Sequence, residues 1–353
     1  MDTKPAVWLP TVRANSGTDV FSVRLRQALD ALGIRAEITW LSLRAEFAPW
    51  TIAIPKPPPW ANIVHINTWL HGRFIPTSLP AVATLHSCVH DSALEPYKTR
   101  TQALYHRHWI RRLESANLRR ATAVTAVSRY TATIAAQVFG RDDIAVIPNG
   151  VDTRVFSPRE RRAPQNPFRL LYVGNWSSGK GVDLLGPIMR QLGDGFELLY
   201  TDDRAGRHKH YSLPPHCRTV GRPSGPLVMA HYYRDADALL FPSRLEGFGL
   251  VAAEAMACGL PVVAADNTAL PELVRHDVTG ILCPTDEITC MVNAIRSLRK
   301  NPERWRAMRA QASRWTATEF SEERQIERYL TLYENVLSGT VALYSNLGHG
   351  SPH

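Results

Sequence analysis

The stretch that most constrains this chain is residues 239–274, LLFPSRLEGFGLVAAEAMACGLPVVAADNTALPELV. An apolar run at 238–241 is long enough for a buried parallel strand, and Pro242 ends it. A turn with two glycines follows, then a helix-favouring segment at 250–258 that the sequence GLP stops, then a second apolar run at 262–265. This strand–loop–helix–strand order predicts an open α/β sheet that binds its ligand in the loop at the carboxyl end of the first strand.

Two carboxylates frame that loop and make it a candidate site. Glu246 lies in the turn, and Glu254 lies four residues after Leu250, so it returns to the same helix face one turn deeper. The free amides and the dipole at the start of the helix favour an anion. One carboxylate can then address a reacting group while the other binds a polyol. Alternatively, Glu246 is a solvated turn residue and Glu254 is an ordinary helix residue that pairs locally.

Length and composition limit the class of protein. A chain of 353 residues exceeds one comfortable core, so two domains are expected. With 44% hydrophobic and 21% charged residues, the composition is that of a soluble globular protein. The chain contains no apolar run of about eighteen residues. Its start lacks the pattern of a signal peptide, and its five cysteines form no CxxC pair. We therefore expect a cytoplasmic protein.

Alternating strand and helix patterns predict two doubly wound parallel sheets. In the first half we expect strands at residues 6–10, 34–41, 62–67, 81–86, 121–128 and 144–148, with helices at 19–32, 96–120 and 129–139. In the second half we expect strands at 168–173, 196–200, 217–220, 238–241 and 262–265, with helices at 180–192, 225–234, 250–258, 286–300, 302–318 and 321–337. A polar, proline-bearing run at 157–167 is the expected interdomain linker. The predicted parts are domains at 1–157 and 158–320, a C-terminal helix at 321–338 packing back towards the first domain, and a flexible tail at 339–353.

A second candidate anion site lies near the start of the second domain. Lys180 follows the loop GNWSSG after a predicted strand and opens a helix, an arrangement that suits a diphosphate. The spacing G-x-x-x-x-G-K is also that of the P-loop of NTPases. A P-loop continues with Ser or Thr to hold magnesium, however, and here the next residue is Gly181. The remaining alternative is that Lys180 is a solvated helix residue.

Several polar side chains could hold a metal or act in catalysis. His86 ends the predicted strand AVATLH and should project from the carboxyl edge of the first sheet, although a lone strand-end histidine is more often structural. His86, Cys88, His90 and Asp91 have the composition of a zinc site, but no second ligand pair accompanies them. The acid-x-acid string at 235–237 lies at a helix-to-strand junction, where a helix end is the better interpretation. We expect no bound metal.

The order of the motifs resembles one family. PSRLEGFG and EAMACGLPVVA, with TLHS at 84–87, VSRY at 127–130, VIPNGVDTRVF at 146–156 and LLYVGNWSSGKGVDLL at 170–185, are similar to the pattern of retaining glycosyltransferases of family 4. The similarity extends over most of the chain, to about residue 337, and is weakest in the first domain. It implies the GT-B fold, in which two Rossmann-like domains face a central cleft. The second domain would bind a nucleotide-sugar, UDP- or GDP-linked, and the first a saccharide or lipid-linked saccharide acceptor.

The resemblance implies an activity and a set of site residues. The activity would be hexosyl transfer with retention of anomeric configuration, without metal or other cofactor, in cell-surface polysaccharide or glycolipid synthesis. Of the two expected catalytic residues, His86 would support the reacting sugar and Glu246 would position its hydroxyls. Lys180 and the first helix amides would bind the diphosphate, and Glu254 would bind the ribose. The expected donor-binding set is Gly17, Asn175, Lys180, Arg222, Phe248, Gly249, Leu250 and Glu254.

One position departs from the family pattern. The family normally has an arginine directly after the first glycine of the loop before Lys180, and here that position holds Asn175. An asparagine can donate a hydrogen bond but carries no charge. Arg244 or Arg222 could supply the missing cation. The departure also leaves open a GT-B protein that binds a nucleotide-sugar but does not transfer it.

The net charge of +9 is concentrated in the first half, where residues 1–160 contain 19 Lys and Arg against 12 Asp and Glu. Residues 105–120, YHRHWIRRLESANLRR, have the composition of a basic amphipathic helix that can lie on an anionic bilayer. Its cations are Arg107, Arg111, Arg112, Arg119 and Arg120, and its apolar side is Trp109, Ile110, Leu113 and Leu118. Peripheral binding at the inner face of the membrane is therefore a candidate interaction, and nucleic acid is not an expected partner. The alternative is that the apolar side packs on the protein's own sheet.

Overall fold

The computed structural model describes residues 4–14, 16–202 and 212–340, and its chain divides into two compact units. The first unit contains residues 1–149 and 323–353, and the second contains residues 150–322. In the described part of each unit, six parallel strands form one sheet. The predicted α/β class is confirmed.

The elements alternate as the sequence pattern indicates. The strands are β1 (Val7–Val12), β2 (Ala36–Leu41), β3 (Ile63–Asn67), β4 (Ala81–Leu85), β5 (Ala123–Ala126), β6 (Ile144–Val146), β7 (Phe168–Tyr172), β8 (Phe196–Tyr200), β9 (Cys217–Thr219), β10 (Ala238–Phe241), β11 (Val262–Ala265) and β12 (Gly280–Cys283). The helices are α1 (Gly17–Ala31), α2 (Arg44–Phe47), α3 (Arg100–Tyr105), α4 (Arg111–Arg120), α5 (Arg129–Phe139), α6 (Val182–Leu192), α7 (Pro226–Asp235), α8 (Leu250–Ala257), α9 (Leu270–Leu273), α10 (Ile288–Lys300), α11 (Pro302–Glu319) and α12 (Glu322–Ser338).

In each sheet, the order in which the chain adds strands reverses at one point. The strand order is β2-β1-β3-β4-β5-β6 in the first unit and β12-β11-β10-β7-β8-β9 in the second. The chain leaves β1 for β2 on one side and later places β3 on the other; β7 has the same relation to β8 and β10. A crevice at the carboxyl ends of the strands forms at such a switch point, and open α/β sheets bind ligands there.

The strand residues alternate between the two faces of the first sheet. Val7 and Leu9 belong to a core with residues of α1 and α12, whereas Trp8 between them belongs to the core that contains Leu118 of α4. The C-terminal helix α12 therefore covers one face of the first sheet, with Tyr329 and Tyr333 wholly buried.

The run predicted as the interdomain linker belongs to the second unit. Arg234 donates to the carbonyl oxygen of Ser157 at 2.8 Å, and Arg161 pairs with Asp237 at 2.6 Å. The backbone amide of Gln165 also donates to Asp237. These contacts hold residues 157–167 across the amino ends of β7 and β10, and the unit boundary falls after Asn149 rather than after residue 157.

The sequence pattern did not predict the short and irregular elements correctly. The predicted helix at 96–120 is a 3₁₀ segment (Ser92–Tyr97) followed by α3, a π turn (His106–Ile110) and α4. The strand β12 and the helices α2 and α9 were not predicted, because four residues are too few to show a period. Residues 341–353 of the predicted tail lie outside the described residues. None of the helices described is long and apolar enough to cross a bilayer.

Candidate functional site

The candidate donor site lies at the switch point of the second sheet, between the loops that follow β7 and β10. Lys180 comes from the first loop and Glu246 from the second, and the Lys180 ammonium lies 2.5 Å from Glu246 Oε1. Their side chains are 31% and 13% exposed, so a ligand can reach both. The backbone amide of Glu246 donates to Thr268 in the loop after β11, at 3.1 Å. Three adjacent strands thus position this pair.

Gly181 decides whether the loop before Lys180 (residues 174–179) is a P-loop of the NTPase type. Its φ is +69°, and a Cβ added there would lie well under 3.0 Å from the carbonyl oxygen of Pro242. A Ser or Thr, which a P-loop needs at this position, would clash with the backbone that follows β10. The close approach of the two loops therefore requires glycine and excludes the P-loop interpretation.

The first turn of α8 faces the same edge of the sheet. Gly249, which has no side chain that could cap the helix, precedes it with φ of +94°. The amides from Leu250 onward are therefore oriented as an anion site at the end of β10. Phe248 is only 6% exposed and its ring packs against Phe320, so its side chain is part of the core rather than of the ligand surface.

Glu254 lies one turn deeper in α8, as its spacing predicted. The residue is only 9% exposed, and its Oε2 accepts a hydrogen bond from the hydroxyl of Tyr233 at 3.2 Å. Tyr233 is wholly buried, so this contact orients the carboxylate. A buried carboxylate held in one orientation suits a polyol ligand better than a mobile surface residue would.

Arg244, one candidate for the cation missing at Asn175, is already paired with two carboxylates. Asn175 is exposed in the loop after β7, whereas Arg244 forms bidentate hydrogen bonds to Asp183 at 2.8 and 2.7 Å and a further bond to Asp286 at 2.6 Å. These bonds, above all those to Asp183, hold the pKa of Arg244 above its usual value. Arg222 is exposed after β9 and forms no ion pair within the described ranges. It remains a candidate compensating cation.

A separate pocket of about 270 Å³ lies at the carboxyl edge of the first sheet. Its walls come from the loops after β1, β3 and β4 and from α2, and the lining includes His86 together with Glu46, Asn67 and Trp69. No sequence pattern indicated the last three residues. Gly17 begins α1 near this edge, where a Cβ would meet no atom within 4 Å, so the backbone there is open to approach.

Trp69 is held in place by a buried carboxylate. Glu114 of α4 is wholly buried and accepts hydrogen bonds from Thr68 at 2.9 Å and from the Trp69 indole at 3.1 Å. His90 donates to its other oxygen at 2.9 Å. Sequence alone gave no signal for this arrangement, because Glu114 lies among arginines that indicated an exposed helix.

His86 projects from the end of β4 into this pocket, and the Phe21 ring packs edge-on against it at 4.6 Å. Burial lowers the pKa of His86 to about 4, so its ring is neutral at pH 7. Beneath it, His65 bonds to Tyr333 at 2.6 Å and to Thr84 at 2.7 Å. Helix α12 thus reaches the strands that position His86.

The strings that could have held a metal are occupied by other contacts. Asp237 accepts from Arg161 and from the Arg169 backbone amide, and Asp235 pairs with the Arg169 side chain. His90 pairs with Glu114, and Asp91 accepts from Tyr130. No group of three His, Cys, Asp or Glu side chains among residues 4–14, 16–202 and 212–340 is placed to hold a metal ion.

The apolar side of the basic helix packs inside its own unit. Ile110 and Leu118 are buried, and the Trp109 indole donates to the carbonyl oxygen of Glu46 at 3.0 Å. Arg120 also donates to the backbone, at Ile75. This apolar side therefore cannot insert into a bilayer, which corrects that part of the prediction, whereas Arg107, Arg111, Arg112 and Arg119 are exposed.

Known protein families and individual relatives match most of this chain. The family model for Glycosyltransferase Family 4 matches residues 60–155, and that for Glycosyl transferases group 1 matches residues 154–315. The chain is 29% identical to D-inositol 3-phosphate glycosyltransferase 1 of Catenulispora acidiphila over 330 residues, 79% of this chain and 73% of that protein. It is 28% identical to glycogen synthase of Mycobacterium tuberculosis over 268 residues, 68% of this chain and 61% of that protein.

Solved structures share the fold at low sequence identity. Sucrose-phosphate synthase from Thermosynechococcus elongatus has a TM-score of 0.75 and 20% identity, and covers 96% of this chain and 100% of its own. Anabaena HepE in complex with UDP and glucose has a TM-score of 0.72 and 17% identity, with the same coverage. The two family models and the two doubly wound units together identify the chain as a GT-B glycosyltransferase. Within that class, the chain belongs to glycosyltransferase family 4, which confirms the family predicted from the motifs.

Proposed function

We propose that this glycosyltransferase transfers a hexose from a UDP- or GDP-linked donor to a saccharide or lipid-linked saccharide, with retention of anomeric configuration, in cell-surface polysaccharide or glycolipid synthesis. The observation that carries the proposal is the Lys180–Glu246 pair beside the first turn of α8, which begins after Gly249. A cation and free amides can stabilise a departing diphosphate, and the carboxylate can bind sugar hydroxyls. HepE, which shares the fold, was crystallised with UDP and glucose.

The ion pair suggests how donor binding engages Glu246. Glu246 Oε1 accepts from the Lys180 ammonium at 2.5 Å. A donor diphosphate would compete for this ammonium, and Glu246 would then accept hydrogen bonds from the hydroxyls of the sugar. Glu254, oriented by Tyr233, would bind the ribose hydroxyls one turn deeper in α8. In this scheme one ligand exchanges a protein ion pair for two contacts of its own.

The pocket of the first unit is the proposed acceptor site. Its volume of about 270 Å³ is near the lower end of ligand pockets, which begin at roughly 300 Å³. The Trp69 ring offers an apolar surface to a sugar ring, while Glu46 and Asn67 offer hydrogen-bonding groups. His86 is neutral, so it would bind a sugar in this pocket by a hydrogen bond rather than by charge.

Calorimetric titration with UDP, GDP and ADP tests the donor site. We expect a nucleoside diphosphate to bind wild type and to bind Lys180→Ala at least tenfold more weakly. Proton NMR of the product at early times then reports the anomeric configuration. Failure of all three nucleotides to bind would contradict the proposal. Binding without transfer to any saccharide acceptor would instead favour the alternative suggested by Asn175, a GT-B protein that binds a nucleotide-sugar but does not transfer it.

Membrane contact, if the acceptor is lipid-linked, would use a different apolar surface from the one predicted. Phe47 and Trp50 are 54% and 66% exposed, and Leu104 is 59% exposed. The Phe47 ring lies 5.5 Å from that of Tyr105, which lies in the chain between Leu104 and the exposed Arg107. Apolar side chains beside arginines suit an anionic lipid surface.

Liposome sedimentation separates the contribution of the exposed apolar side chains to membrane binding from that of the arginines. Phe47→Ser with Trp50→Ser should reduce binding to phosphatidylglycerol vesicles at all salt concentrations, whereas Arg111→Gln with Arg112→Gln should reduce it mainly at low salt. Equal partition to neutral and anionic vesicles, or none, would remove the membrane from the proposal.

A further inference from the structure

A second basic surface, away from the donor site, lines helix α11. Residues Arg306, Arg309, Ala310, Ser313, Arg314 and Ala317 repeat at helical spacing and form one face. This face lies opposite the segment 158–162, and together they enclose an open groove of about 920 Å³. We call it the arginine groove. All of its residues belong to the second unit.

The charge of the arginine groove is strongly one-sided. Six arginines line it, against the single carboxylate of Glu160; they are Arg159, Arg161, Arg162, Arg306, Arg309 and Arg314. Within the described part of the chain, Arg161 alone among them has an ion pair, with Asp237 at 2.6 Å. Like charges this close repel one another, so the groove favours an anion that several of them can share.

Arg309 at the base of the groove adds a second observation. Its side chain is only 6% exposed; Nη2 donates to the carbonyl oxygen of Arg159 at 3.0 Å, and the guanidinium lies 4.7 Å over the Trp305 ring. Nη1 is buried and has no hydrogen-bond partner among the residues described. Burial and the nearby Arg161 lower the pKa of Arg309 to about 10, which still leaves it charged at neutral pH. A buried charge without a carboxylate contact would be stabilised by an anion above it.

The arginine groove lies at the opposite edge of the sheet from the donor site. The Trp305 indole donates to the carbonyl oxygen of Asp237, and Arg161 donates to that of Ala236, both directly before β10. Lys180 and Glu246 lie at the carboxyl edge, beyond the four residues of β10. A strand of this length spans roughly 13 Å, so one small ligand does not occupy both sites.

We propose that the arginine groove is a second anion site, which binds a ligand carrying two or more phosphate groups. Arg306 and Arg314 are eight residues apart on α11, a separation of about 12 Å, so the groove can contact more than one phosphate at once. Guanidinium groups recognise phosphate oxygens in a bidentate geometry. A free phosphorylated metabolite and a phosphorylated lipid headgroup share this chemistry, and the experiment distinguishes them.

The test uses inorganic tripolyphosphate as the probe, titrated by calorimetry at constant ionic strength into the full chain. Lys180→Ala serves as the background, so that binding at the donor site does not contribute. We expect Arg306→Gln with Arg314→Gln to weaken binding at least tenfold, since two of the cations that line the groove are removed. Both residues are exposed, so their replacement leaves the core intact. Arg296→Gln with Lys300→Gln removes the same charge from exposed positions on α10 and should change the affinity less than twofold.

A second arm uses phosphatidylcholine vesicles with or without phosphatidylinositol 4,5-bisphosphate, whose headgroup carries several phosphate groups. Tripolyphosphate binding that the groove variant weakens supports a soluble ligand, and groove-dependent binding to the bisphosphate vesicles alone supports a headgroup. Arg309→Met, checked for folding by circular dichroism, should weaken whichever probe binds. No binding of either probe, or equal weakening by the groove and control variants, would overturn the proposal.

Discussion

The Lys180 ammonium and the Glu246 carboxylate lie 2.5 Å apart, although they come from loops that follow different strands. Because β7 and β10 are neighbours in the sheet, their loops meet at the switch point. In the proposed function, the cation would bind a diphosphate and the carboxylate would bind sugar hydroxyls. Changes on the two sides of the pair should therefore affect binding differently.

Lys180→Ala should weaken binding of the nucleoside diphosphate about 10- to 100-fold, which corresponds to the loss of a charge-assisted contact of about 1.5–3 kcal/mol. Glu246→Gln should leave binding of the bare diphosphate unchanged or tighter, since the ammonium loses its competing partner, but should lower turnover. Calorimetry and a transfer assay measure the two effects. Lys300→Ala, an exposed change on α10, is the control. Wild-type binding by a folded Lys180→Ala variant would remove the donor site from this position.

Gly181→Ser should destabilise the second unit rather than create a magnesium site. The new Cβ would meet the Pro242 carbonyl oxygen, and a φ of +69° is unfavourable for serine. We expect a loss of about 1–3 kcal/mol in the free energy of unfolding, measured with urea. Gly179→Ser is the control, because a Cβ there would meet no atom within 4 Å. Unchanged stability together with ATP hydrolysis would reverse our exclusion of a P-loop.

Asn175→Arg should leave donor binding intact or tighten it. Asn175 is exposed in the loop before Lys180, so the arginine places a second cation near the ammonium. Asn175→Ala, which removes the amide without adding charge, is the matched control. Affinities for UDP and GDP measured on the three proteins decide the question. If the arginine variant binds more weakly than the alanine variant, the asparagine has a role of its own that charge does not replace.

Removal of divalent metals should not reduce turnover. Lysine and helix amides can stabilise the diphosphate without a metal ion. The transfer assay is run in excess chelator and again after magnesium or manganese is returned. Full loss of activity in chelator with recovery on adding metal would contradict this part of the proposed mechanism.

The buried His65, beneath the pocket of the first unit, should make stability depend on pH. Burial lowers the pKa of His65 to about 3, well below its value near 6.5 in the unfolded chain. Below pH 6.5 the unfolded state therefore binds more protons, so the free energy of unfolding falls as the pH falls. The contribution of His65 is at most about 1.4 kcal/mol per pH unit.

Urea unfolding at several pH values between about 7 and 5 measures this slope. His65→Gln should reduce the slope by about one proton, whatever its effect on stability at pH 7. His276→Gln is the control, since the His276 side chain is 55% exposed. An unchanged slope in His65→Gln would show that His65 is not held neutral.

Local sequence determined most of the element order, the family and the two loops of the candidate donor site. Strand and helix periods are set within a few residues, and Lys180, Glu246 and Glu254 lie in short segments whose elements bring them to one edge of a sheet. Even the exclusion of a P-loop could be anticipated from Gly181, although its reason, the Pro242 carbonyl, could not.

Tertiary structure alone decided which surfaces are buried and which distant residues meet. The bond between His65 and Tyr333 joins positions 268 residues apart, and Glu114 orients Trp69 from a helix whose arginines suggested an exposed surface. The predicted linker became one wall of the arginine groove. Such contacts have no local period, because they arise only when packing removes both partners from water, and charge along a helix does not reveal which of its faces is covered.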